Sequence, residues 1–158
     1  MKRKSRSSRQ SLANVRSAVL VGLMFCFGPA VAQQPELPTI ALNADIFVIQ
    51  AEVADTPATR ELGLMRRKSM AQGAGMLFLF DESATHCMWM KNTLIPLSVA
   101  FITTDGRIVN LADMQPQTED VHCGQTDVRY ALETPLHWFA QHGIRPGARV
   151  LGLPAPSR

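Results

Sequence analysis

The sequence predicts a mainly β fold: a single compact β-sandwich or barrel-like domain with two short helices. Two observations lead there. Between residues 46 and 153, short apolar or alternating runs, about seven of them, recur at close intervals, the spacing of a closed or sandwiched β architecture. The breaks between them carry turn chemistry such as Asp105-Gly106. Only two stretches offer a cap, a few helix-forming residues and a glycine stop.

Residues 1–32 differ in kind from the rest. Lys2, Arg3, Lys4, Arg6, Arg9 and Arg16 precede an apolar run, Ala18 to Phe27, and the segment ends Ala30-Val31-Ala32. A basic start, a short apolar core and an Ala-x-Ala exit read as a cleavable secretory signal. The run falls short of the roughly 20 residues of a spanning helix, so no stable membrane anchor is expected after cleavage. Phe25 before Cys26 argues against lipid attachment there. The expected location is the periplasm or the cell exterior. Residues 33–45, polar and Pro-containing, read as a flexible lead-in. Residues 46–153 read as the single β domain, and 154–158 as a tail.

Within the domain, Ile46 to Val53 predicts a strand. Asp55-Thr56-Pro57 then offers a cap and a proline at the first helical position, and Gly63 stops the helix early. Gly75 to Phe80 is too short and too apolar for a surface helix and predicts a buried strand. Cys87 to Asn92 and Leu97 to Thr103 predict two more, with Pro96 between them. Asp105-Gly106 predicts a hairpin joining Phe101-Ile102 to Ile108-Val109. Arg129 to Glu133 predicts another strand, Thr134-Pro135 the cap of a helix over Leu136 to His142, and Arg149 to Leu153 a final strand.

Charge narrows the function classes. Six of the 16 basic residues and none of the 13 acidic ones lie in the signal, so residues 33–158 carry about −3 rather than +3. A basic surface for nucleic acid is not supported. Cys87 and Cys123 remain after cleavage, and an even pair in an oxidising compartment predicts a structural disulfide, not a Cys-x-x-Cys redox motif.

The run Gly63-Leu64-Met65-Arg66-Arg67, then Gly75 to Phe80, then Trp89-Met90-Lys91-Asn92-Thr93-Leu94-Ile95-Pro96-Leu97 resembles the bacterial and archaeal domain-of-unknown-function family 192. The likeness continues through Asp105-Gly106, Tyr130-Ala131-Leu132-Glu133 and His142-Gly143-Ile144. It implies a compact β domain of jelly-roll-like topology, often exported, and no activity. Members commonly carry Asp where this chain has Ser98.

Candidate site residues follow from the polar positions in these blocks. Alternation on a strand places Cys87, Trp89 and Lys91 on one face, and His86, Met88, Met90 and Asn92 on the other. Asn92 and Thr93 either fix the turn before Pro96 or, with Lys91, form the polar end of an apolar pocket that holds an anionic or carbonyl-bearing ligand. Arg66 and Arg67 suit an anionic group there. Glu133, at a strand end, suits a helix start or, less readily, acid–base chemistry. A His86, Met88 and Met90 face would be a soft set for copper. His86-Cys87 with His122-Cys123 fails as a zinc set, because neighbouring strand residues diverge and a disulfide removes both thiolates. Trp89 reads as a core residue. Neither a nucleophile elbow, a His-Glu-x-x-His nor a phosphate loop occurs, so no cofactor is implied. The expected role is a binding or accessory module for a small ligand, an envelope polymer or a protein. A periplasmic copper binder and a hydrolase-type enzyme using Lys91, Asn92 and Glu133 are the alternatives.

Overall fold

The computed structural model describes residues 36–155; residues 1–35, which include the segment expected to be a secretory signal, and residues 156–158 lie outside them. Alternation builds the first hairpin. Leu42, Ala44, Ile49 and Ala51 are buried, and Thr39–Ala44 (β1) pairs antiparallel with Phe47–Ala54 (β2) around Asp45, whose φ is 56°. The 39–44 stretch is therefore a strand and not part of a flexible lead-in. Its Ile-x-Leu-x-Ala alternation is short enough to be masked by the polar residues before it.

A crossover follows. Thr56 caps helix α1 (Pro57–Leu62): its hydroxyl accepts from the Thr59 N–H at 3.2 Å, and Thr59 Oγ1 accepts from the Thr56 N–H at 3.0 Å. Pro57 occupies the first turn, where its missing N–H costs nothing. Gly63, at φ 45°, ends the helix, and a Cβ there would approach Phe78 Cζ to 3.2 Å. The crossover lets Ala74–Ala84 (β3) run parallel to β2.

The remaining strands pair antiparallel: Leu97–Ile102 (β5) with Ile108–Met114 (β6), β5 also with Val128–Pro135 (β8), β8 with β3, and Val150–Leu151 (β9) with β1. The sheet order is β6-β5-β8-β3-β2-β1-β9. It curls until its two edges meet. Arg107 and Arg149 form a bridge, the Ile108 N–H donates to the Ala148 carbonyl at 2.9 Å, and the Val150 N–H donates to Gly106 at 2.8 Å. The predicted barrel-like β domain is thus present, closed by this seam.

A two-stranded ribbon lies apart from that sheet: Cys87–Met88 (β4) against His122–Cys123 (β7), clamped by the Cys87–Cys123 disulfide, with Sγ–Sγ 2.11 Å. Both faces of the central strands are buried, which explains their unbroken apolar runs. Leu77, Ala100, Ile102, Tyr130 and Leu132 pack with Trp138 and Phe139 on one side. Met76, Phe78, Val99, Phe101 and Ala131 pack with Leu64 and Met90 on the other.

Two predicted elements are corrected. The strand over Cys87 to Asn92 ends at Met88, because β7 offers only Cys123 and His122 as partners. Beyond it the Met90 N–H turns to the Thr118 carbonyl at 3.2 Å, and Asn92 takes φ 56°. Thr134-Pro135 does not cap a helix: both residues extend the ladder with β5, opposite Ser98 and Leu97. Helix α2 is only Trp138–Gln141, entered through His137 at φ 64°.

Candidate functional site

Glu133 stands in β8 on the face it shares with Ala131, between Met76 of β3 and Val99 of β5. Its side chain is 3% exposed, and it is the only buried acid among the described residues. No hydrogen bond or ion pair to its carboxyl occurs among them. Burial alone acts on it and pushes its pKa up to about 8, so the carboxyl is mostly protonated at neutral pH.

It faces a cavity of about 30 Å³ walled by Leu62, Gly63, Leu64, Met65, Phe78, Trp89 and Thr93. That is room for about one water or one ligand group of similar size. The cavity adjoins a groove of about 410 Å³ between α1 and the 89–92 loop, and Glu61, Leu62, Met65 and Trp89 line both. Ala58, Lys91 and Asn92 complete the groove. Trp89 is 45% exposed, with Lys91 Nζ 5.1 Å from its ring centre.

A second cavity, about 370 Å³, lies against Leu111, Phe139, Ile144, Asp113, Ser98 and Arg145. Here Ser98 Oγ donates to Asp113 Oδ1 and accepts the His137 N–H at 2.7 Å, while His137 Nδ1 sits 2.9 Å from Asp113 Oδ2. Asp113 is the ladder partner of Ser98. A carboxylate therefore stands beside position 98 although Ser98 itself has none.

The model of the uncharacterised family described as DUF192, uncharacterized ACR, matches residues 40–152. The chain belongs to domain-of-unknown-function family 192. Two crystal structures share its fold. One, from Sinorhizobium meliloti 1021 and named as a candidate transcription regulator, is 32% identical with TM-score 0.72, covering 75% of this chain and 96% of that one. The other, a protein of unknown function from Novosphingobium aromaticivorans DSM 12444, is 29% identical with TM-score 0.70, covering 78% and 89%. Comparison with curated proteins returns no match.

Of the residues singled out from sequence, this family 192 domain brings Lys91, Asn92, Thr93 and Glu133 to the adjoining groove and cavity. Lys91 and Asn92 share the groove because the strand ends before them. The arginines do not join. Arg67 forms a fork onto Glu52, both contacts 2.5 Å, and Arg66 gives its backbone N–H to the Asn92 carbonyl at 2.8 Å with φ 63°. The Asn92 side chain reaches Met65 Sδ at 3.9 Å, so its contribution to the turn is its left-handed backbone.

The copper face does not form as one surface. Met90 is fully buried, and the His86 ring stacks on Phe80 at 3.7 Å with Nε2 3.0 Å from the Glu82 carbonyl. Trp89, read as core, is instead the exposed wall of the groove. Leu62 and Met65 were missed because nothing local marks a pocket wall. Asp113 and His137 were missed because they meet only through the β5–β6 ladder and the turn after β8.

Proposed function

We propose that this protein is an exported periplasmic binding module that takes a small ligand in the groove between α1 and the 89–92 loop. The supporting observation is Glu133: a buried acid without a partner, facing a cavity that opens beside an exposed tryptophan. Its carboxyl, with no hydrogen bond to the described residues, reaches the cavity rather than packing against protein, a placement that suits a group a ligand completes. The groove volume falls within the usual range for small-ligand sites, roughly 300–1,000 Å³, which favours a small ligand over a polymer or a protein surface.

A protonated Glu133 is also a general acid in form. A cavity of about 30 Å³ holds about one water, however, and admits no scissile group with its two substituents. Lys91, the proposed partner in acid–base chemistry, is on the rim, 3.7 Å from Glu119. Binding is therefore favoured over hydrolysis.

The test is native mass spectrometry of protein purified from periplasm. A small-molecule adduct on the wild type, lost in Trp89→Ala, is the expected result. An adduct that survives both Trp89→Ala and Glu133→Leu in folded protein would place binding elsewhere and overturn this reading. So would a groove whose backbone amides show no shift change with any of a panel of amines, sugars and carboxylates.

A further inference from the structure

We infer that the ligand carries a primary ammonium on an aliphatic stem, the stem lying along Leu62, Met65 and Trp89 and the ammonium meeting Glu133 and Thr93. The inference rests on the groove being a binding site, and it names the chemistry that the site selects.

The wall composition carries the argument. The groove wall is mostly apolar, built from Ala58, Leu62, Met65 and the Trp89 ring, whereas the cavity beyond it is mostly polar, with Arg60, Glu61, Thr93 and Glu133 in its lining. Along the groove a polyol would set hydroxyls against Ala58, Leu62, Met65 and the Trp89 ring, at a cost for each one left without a partner. A methylene chain matches those walls, and a single terminal donor matches the end. An ammonium has three donors and no acceptor, whereas a carboxylate accepts only. The small cavity at the end suits that headgroup in size.

Charge points the same way. An ionised carboxylate is tolerated in an interior when it is paired. Among the described residues, no cation pairs with Glu133. Arg60, which also lines the cavity, is committed elsewhere: its guanidinium donates to the Asp55 and Leu79 carbonyls at 2.7 and 2.8 Å and pairs with Asp81 at 2.6 Å. Lys91 at the groove rim lies near Glu119 and over Trp89. Glu61, lining both spaces from α1, adds a negative charge at the entrance rather than another cation. An incoming ammonium would supply the missing positive charge, and Glu133 would ionise to meet it. The proton leaves the carboxyl oxygen for bulk solvent, no covalent bond changes in the ligand, and one proton is released per amine bound.

The experiment titrates the folded domain with n-butylamine hydrochloride and, separately, with 1-butanol, which has the same stem without the charge. Calorimetry in two buffers of different ionisation enthalpy reads the protons. Butylamine is expected to bind with release approaching one proton at pH 7. That release should shrink above pH 8, where the carboxyl of the free protein is already ionised. Glu133→Gln should lower amine affinity tenfold or more while the variant keeps its fold by circular dichroism, and Thr93→Val should lower it less. Equal binding of butanol and butylamine, amine binding without proton release, or unchanged affinity in Glu133→Gln would each overturn the inference. If the amine fails to bind while a native adduct sits in the groove, the ammonium assignment falls and the binding-module reading stands. If groove amides respond to no probe and no adduct is found, both fall.

Discussion

Glu133 occupies a position that alternation alone would give to an apolar side chain, and the consequence is measurable in stability. Its carboxyl has a folded pKa near 8 against an ordinary 4.5. The unfolded chain therefore loses its proton first. Below pH 4.5 both states are protonated and no penalty exists. As pH rises from there towards 8, stability falls, and above 8 the full loss, about 5 kcal/mol, is in place. Glu133→Gln, close in shape to the protonated acid, should remove this slope. We expect it to be more stable than wild type at pH 7 by about 3 kcal/mol, read as a higher urea midpoint, with the two proteins converging near pH 4. A variant less stable than wild type at pH 7 would contradict the burial account. Gly75 makes the opposite point: a Cβ there would lie 2.7 Å from the Glu133 carbonyl oxygen and 3.0 Å from Ile49 Cγ2. Gly75→Ala should cost about 1–3 kcal/mol through overpacking, seen as a lower melting temperature. Lys91, Asn92, Thr93 and Glu133 were legible as polar residues set in apolar runs. The apolar walls they needed were not, because Leu62 and Met65 look like any core residue until α1 is placed over Trp89.

At the scale of elements, the strands and turns were legible where local signals agreed. Thr56-Pro57 with Gly63, and Asp105-Gly106, each placed an element end. The errors came where a partner decided the outcome. The strand from Cys87 stops because β7 is two residues long, and β8 runs through Pro135 because β5 is there to pair with it. The 89–93 segment is held by the disulfide ribbon and by three backbone bonds: Met90 N–H to Thr118 at 3.2 Å, Gln117 N–H to Thr93 at 3.0 Å and Arg66 N–H to Asn92 at 2.8 Å. The wall carrying Trp89 thus depends on a cross-link spanning 36 residues. Replacing Cys87 and Cys123 together with Ser should cost up to about 4 kcal/mol on the chain-entropy model. Hydrogen exchange should accelerate at Met90 and Gln117 before it does in β3 or β8. Uniform acceleration across all strands would show that the ribbon is not a separate unit.

For the whole molecule, the seven-stranded sheet closes where its edges meet, through the Arg107–Arg149 bridge, backbone bonds of Ile108, Gly147 and Val150, and the Arg149–Asp105 ion pair. Gly106 sits at that seam with φ 84°, and a Cβ on it would come within 2.7 Å of the Val150 carbonyl oxygen, the acceptor side of a residue that bonds back to Gly106. Gly106→Ala should therefore open the seam at a cost of about 1–3 kcal/mol, with exchange rising at Ile108 and Val150 and the centre of the sheet spared. Seam closure was outside the reach of the sequence, since it depends on how far the sheet curls. The parallel pairing of β2 with β3 has a further consequence, which concerns time. The β1–β2 hairpin can zip from its own turn, but β3 cannot join until the chain has crossed over from Ala54 to Ala74, and loops of that kind close late. Helix α1 lies in that crossover, so the groove acquires its wall only when β3 docks. During refolding, protection at Ile49 and Ala51, whose N–H groups face β1, should precede protection at Gln50, whose N–H bonds Gly73 across the crossover at 2.8 Å, and the capacity to hold a ligand should arrive among the last properties the chain gains.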